Sequence, residues 1–195
     1  MHSDMDTLEG QFLIAMPNMG DQRFERTVVY ICSHSHEGAM GLVVNRSLEK
    51  PGIVEFFEQL NIVTGDETLA LPAEIRATQL GVGGPVEPGR GFVLHSPDFQ
   101  SENTMLIDAD VCLTATLEIL RAIARGTGPQ KAMIALGYAG WGSGQLEEEI
   151  SSNGWLTSQA DSSIIFDPYN DTKYERALRN MGINPLLLSA ESGHA

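Results

Sequence analysis

The sequence predicts an α+β protein built on a curved, mixed β-sheet. Three observations support this. Runs of β-branched and aromatic residues near the N-terminus are separated by turn residues, which makes an antiparallel hairpin. Later strand-like runs follow irregular connections, which argues against a strict βαβ repeat. Several segments also carry apolar residues at helical spacing between glycine and proline breaks. With 195 residues, 42% of them hydrophobic, one large domain over residues 1–195 can bury a substantial core.

Residues 12–16 read as a short buried strand ended by Pro17-Asn18-Met19-Gly20. Residues 27–32 form a second strand, His34-Ser35-His36-Glu37-Gly38 a turn, and residues 41–45 a third strand. Pro51 suits a first helical turn, and Ile53, Val54, Phe56, Phe57 and Leu60 give that helix one apolar face. Residues 61–77 show no clear period and are expected as a long loop. Residues 79–83 and 92–95 read as strands, and 104–107 as another. A helix is then expected from an Asp110 N-cap, with Leu113, Leu117, Leu120 and Ala124 as its stripe and Gly126 as its stop. Residues 131–138 return as a strand. The glycine-rich stretch after it turns into a helix carrying Leu146 and Ile150, with Glu147, Glu148 and Glu149 near its N-terminus. Residues 155–157 and 163–166 are expected as late strands. Tyr174, Ala177, Leu178 and Met181 mark a last helix, capped near Asp171 and stopped by Gly182; residues 189–195 are expected as a frayed tail.

Charge narrows the function classes. Twelve Lys+Arg against 26 Asp+Glu give a net charge of −14, which repels phosphate backbones and anionic membranes. No apolar run reaches the ~18 residues of a membrane span, and the first residues lack the basic region of a signal peptide. A cytoplasmic protein is expected, its two cysteines, Cys32 and Cys112, reduced and partly buried.

Common catalytic motifs fail at specific positions. A dinucleotide fingerprint beginning at Gly140 and Gly142 breaks at Gln145, and one beginning at Gly81 and Gly83 breaks at Val86. No Gly-Lys pair exists for a phosphate-binding loop, and around Ser143 a nucleophile elbow would need glycines where Trp141 and Gln145 stand. The glutamates after Gly144 already answer that helix dipole and would repel a bound phosphate. Cys32, His34 and His36 alternate and would share one face of an extended strand, as a soft-metal set would require. A site would need further ligands, such as His95 or Cys112. A buried thiol followed by two turn histidines is the simpler reading, so no metal or cofactor is assigned. His95 ends a strand and has the chemistry of an acid–base group, but no partner motif surrounds it. Trp155 is expected as packing; Trp141, beside glycines, suits packing or ligand stacking equally.

Three blocks of residues together resemble the YqgE/AlgH family of bacterial proteins. The first is Phe12-Leu13-Ile14-Ala15-Met16-Pro17-Asn18-Met19 with Gly38-Ala39-Met40-Gly41-Leu42-Val43-Val44-Asn45-Arg46. The second is Gly83-Gly84-Pro85-Val86 with Arg90-Gly91-Phe92-Val93-Leu94-His95. The third is Leu136-Gly137-Tyr138-Ala139-Gly140-Trp141, followed by Gly144-Gln145-Leu146-Glu147 and Asn153-Gly154-Trp155-Leu156. The resemblance covers nearly the whole chain; Ser143 departs from the alanine or proline common there. It implies a single domain around a strongly curved mixed sheet or flattened barrel, with helices packed outside. It transfers no catalytic or ligand residue. Some members are labelled transcriptional regulators, a label that neither the charge nor any helix-turn-helix supports here.

Three functional expectations follow. The first is a non-enzymatic cytosolic binding or regulatory protein acting through a protein partner. The second is an enzyme acting on a small molecule in a cleft between Gly83-Gly84-Pro85 and Gly140-Trp141. The third, direct nucleic-acid binding, is disfavoured by the charge. The candidate ligand or partner surface comprises Asn18, Asn45, Arg46, Gly84, Pro85, His95, Trp141 and Gln145.

Overall fold

Most of both faces of one curled sheet is buried, and three apolar clusters account for its shape. The computed structural model describes residues 7–17 and 24–187. Its strands are β1 (Gln11–Ala15), β2 (Val28–Ser35), β3 (Gly38–Val43), β4 (Gly81–Val82), β5 (Val86–His95), β6 (Met105–Leu106), β7 (Cys112–Thr114), β8 (Ala132–Gly142) and β9 (Trp155–Gln159). They form a nine-stranded sheet in the order β6-β7-β5-β8-β3-β2-β1-β9, with β4 placed against β8. The β4–β8 pairing is parallel and the others are antiparallel. The sheet is therefore mixed, as its irregular connections imply.

The helices are α1 (Ile53–Gln59), α2 (Asp66–Leu69), α3 (Ala73–Arg76), α4 (Leu117–Ala124), α5 (Gln145–Ser151), α6 (Ser162–Ile165) and α7 (Lys173–Asn180). Strand alternation decides which cluster each residue joins. Phe12, Ile14, Val28, Tyr30, Leu42, Phe92 and Leu94 share one face with Ile164, Ile165, Tyr174, Ala177 and Leu178 of α6 and α7. Their neighbours Leu13, Val29, Ile31 and Val43 face the other way, against Leu146 of α5. Val93, Ile134 and Leu136 lie under α1 and α4 through Phe56, Phe57, Ile119 and Leu120.

Strand β8 links the two halves. Its first part pairs with β4 and β5, and its last part, from Ala139 to Gly142, pairs with β3. Its alternation changes phase between these parts. Ile134 and Leu136 join the α1–α4 cluster, whereas Ala139 and Trp141 join the α5 cluster. The change falls at Gly137, whose φ is +76°, a backbone region costly for side-chain-bearing residues.

Several expectations need correction. The turn after β2 is only His36-Glu37, because the strand continues through Ser35. Residues 61–77 contain the short helices α2 and α3. Asp110 does not cap a helix; residues Cys112–Thr114 pair with β5 and β6 instead, and α4 starts after Thr116. The partners that make this segment a strand lie in β5 and β6, outside the local helical pattern. Residues Ser162–Ile165 are helical and Phe166 is their C-cap, because the Asp161 side chain accepts the Ser163 N–H and starts α6. The glycine-rich segment through Gly142 continues strand β8, and the turn into α5 is only Ser143-Gly144. Gly126 and Gly182 end α4 and α7 at φ +78° and +77°, as C′ glycines do. Pro51 precedes α1, and the Lys50–Pro51 bond is cis. No helix among the described residues is long and apolar enough to cross a membrane.

Candidate functional site

The two glycine clusters meet, backbone against backbone. Gly83 N–H donates to Leu136 O at 2.8 Å, and Gly83 O accepts Val43 N–H at 2.9 Å. A Cβ on Gly83 would stand 2.1 Å from Gly137 O, and one on Gly84 would stand 2.1 Å from the Tyr138 carbonyl carbon. Gly83 and Gly84 therefore leave no ligand space against residues 137–139. Pro85 is exposed beyond this crossing.

An open groove of about 610 Å³ lies alongside, over β2, β3, β8 and the start of β5. Met40, Val86, Phe92, Tyr138 and Gly140 lie along it, with Ser33 and Ser35 on one side and Glu37, Glu87 and Arg90 near the rim. Arg90 lies 3.6 Å from Glu87 and stacks over Phe92 at 5.1 Å.

Trp141 also borders the groove, but its indole points to the other face and is buried there. Trp141 Nε1 and Trp155 Nε1 both donate to Oε1 of Glu149, at 3.3 and 3.1 Å, and the rings pack edge to face. Gln145 Oε1 accepts Gly142 N–H at 2.9 Å, closing the turn into α5. His34 Nδ1 accepts Leu8 N–H at 3.0 Å, so its Nε2–H donates to Glu147, whose carboxyl this bond holds below the usual carboxylate range. The glutamates of α5 thus tie it to the sheet.

The metal reading of Cys32, His34 and His36 fails on geometry. The register shifts between Ile31 and Ser33, which breaks the alternation. Cys32 packs with Phe12 in one cluster, while His34 reaches α5. No group of three metal-ligating side chains occurs among the described residues.

Of the remaining nominated residues, the described ones do not converge on the groove. Asn18 lies outside the described residues. Asn45 spans two strands, accepting Val28 N–H and donating to Arg26 O. Arg46 donates to Glu25 O at 3.3 Å and lines a different cavity. His95 is fully buried; Nδ1–H donates to Ser96 O at 2.8 Å and Nε2 accepts the Thr114 hydroxyl at 2.7 Å. Burial lowers the His95 pKa from its ordinary 6.5. The folded state then binds its proton less readily than the unfolded state. His95 stability is present above pH 6.5 and is lost as pH falls toward the lower folded value. Urea unfolding across this range should show the wild type losing up to about 1.4 kcal/mol per pH unit from this group. The gap between wild type and His95→Gln should narrow accordingly; parallel pH profiles would rule the assignment out.

Sequence reasoning passed over Lys173. It opens α7 with 1% of its surface exposed, and Nζ donates to Val44 O at 2.8 Å and Ile165 O at 3.0 Å. Burial pulls its pKa down to about 8. It lines a cavity of about 510 Å³ with Arg46, Glu74, Met133, Phe166 and Asp167. The only sequence signal was scarcity, since the chain has three lysines.

Comparison with known proteins follows the same outline. The AlgH-like family matches residues 12–186. A UPF0301 protein of Beijerinckia indica is 58% identical over 189 residues, covering 96% of this chain and 92% of the relative. One from Bradyrhizobium diazoefficiens is 57% identical, covering 96% and 88%. The solution structure of AlgH from Pseudomonas aeruginosa aligns with a TM-score of 0.79 and 41% identity over the full length of both chains. A crystal structure from Corynebacterium diphtheriae shares the fold at TM-score 0.65 and 20% identity, over 96% of this chain and 92% of that one.

Proposed function

The chain belongs to the AlgH-like family, and from that premise we propose that it is a non-enzymatic cytoplasmic binding protein that acts through a protein partner. The groove over β2, β3, β8 and β5 supports this reading. Helices α6 and α7 pack on part of this sheet face, while Met40, Val86, Phe92 and Tyr138 border open space. An apolar floor with a charged rim suits an extended protein segment with apolar side chains and a basic residue facing Glu37. A nucleic-acid backbone fits poorly, because Glu37 and Glu87 lie near the rim and Arg90 is already near Glu87.

The test substitutes Val86, which is 37% exposed, with aspartate. Val86→Asp should keep the wild-type circular dichroism and melting behaviour. In quantitative pull-downs at native expression levels, wild type should retain a partner that Val86→Asp releases. No reproducible partner, or an identical set for both proteins, would overturn the reading.

A further inference from the structure

We propose that the cavity beside Lys173 binds a small organic anion, with its carboxylate or phosphate head on the Lys173 ammonium and its apolar body against Met133, Ile165 and Phe166. An ammonium carries three N–H donors, and Lys173 directs bonds to two carbonyls, Val44 O and Ile165 O. Among the described residues no carboxylate oxygen stands within 4.0 Å of Nζ. Asp167 attracts it electrostatically, but that carboxylate is held by Arg176 at 2.6 Å, and Arg176 in turn repels the ammonium. Carbonyl dipoles solvate a charge without cancelling it. A lysine this deeply buried without a counter-ion is costly.

The two carbonyl bonds have a structural use, since they fasten the start of α7 to the end of α6 and to the chain after β3. That use does not require a net charge, nor does it require a ligand-sized space beside it. The cavity of about 510 Å³ lies within the range typical of small-ligand sites. Arg46 adds a second cation to its wall, and Glu74 and Asp167 are its acidic groups. An anion on Nζ would complete its coordination and neutralise the buried charge.

Lys50, Lys131 and Lys173 are the only lysines, so 13Cε-lysine labelling of the full chain gives three signals to assign. Benzoate and phenyl phosphate are the probes, with benzamide as the neutral control. The Lys173 signal should shift saturably with at least one anion, while Lys50 and Lys131 stay in place and benzamide has no effect. Whichever anion binds identifies the head group. At saturation the Lys173 titration midpoint should rise above its free value of about 8. Affinity should weaken about tenfold for each pH unit above the free midpoint. Arg46→Gln should weaken binding several-fold, and folded Lys173→Met should abolish it. The proposal is overturned if neither anion moves Lys173 at tens of millimolar, if benzamide moves it equally, if all three lysines respond alike, or if Lys173→Met still binds.

Discussion

Replacing Gly137 with alanine is expected to remove a large part of the protein's stability. Two effects combine there. The backbone φ of +76° is strained for any residue with a Cβ. The added carbon would also stand 2.3 Å from Gly84 O, 3.1 Å from Val86 O and 3.2 Å from Pro88 Cα. These neighbours are backbone, so no rotamer change relieves the collision. Gly144 separates the two effects, because its φ is +75° with nothing within 4 Å of an added Cβ. Gly144→Ala should cost about 1 kcal/mol. Gly137→Ala should cost about 4 kcal/mol or more, against a total of about 5–15 kcal/mol for a typical domain. Urea unfolding followed by circular dichroism measures both. Equal losses would show that the crossing of β8 with Gly84 yields easily.

Glu149→Ala is expected to destabilise the fold by about 2–4 kcal/mol, since it strands two buried indole donors at once. Trp141 and Trp155 point their N–H groups at one oxygen of this side chain. Glu149→Gln keeps an acceptor at the same place, and should lose about 1 kcal/mol because the charge-assisted character is gone. A surface glutamate with no such role would leave both variants within about 0.5 kcal/mol of wild type. Matched losses in the two variants would instead assign the effect to charge and not to the shared acceptor.

Local patterns foretold much of the sheet and the helices α1, α5 and α7. The unbroken apolar runs in residues 12–16 and 27–32 reflect two buried faces, and Tyr174, Ala177 and Leu178 recur at helical spacing because α7 buries a single stripe. Short apolar runs misled. Ile164 and Ile165 read as strand, although the Asp161 side chain bond makes them a helical turn. Leu113 fitted a helical stripe but sits on β7, where it pairs with Leu94 and Met105. Gly83 and Gly84 pack backbone against backbone on residues 137–139, a contact that no local pattern shows. What each polar side chain does was hidden. Trp141 and Glu149 are eight residues apart, but their bond depends on the chain's reversal at Ser143-Gly144. Lys173 reads like any helix-opening lysine until Val44, 129 positions away, is placed against it.

The pairing of Trp141 and Trp155 around Glu149 has an experimental consequence. These are the chain's two tryptophans, and both belong to the α5 cluster. Intrinsic emission excited at the indole band therefore watches one corner of the molecule. The cluster under α1 and α4 contains phenylalanines and aliphatic residues but no indole. A denaturation curve followed by this emission reports the half of β8 that pairs with β3, whereas far-ultraviolet dichroism averages over all elements. Coincident curves would mean that β8 transmits unfolding from one half to the other as a single cooperative event. Separated curves would place the boundary between two folding units at Gly137.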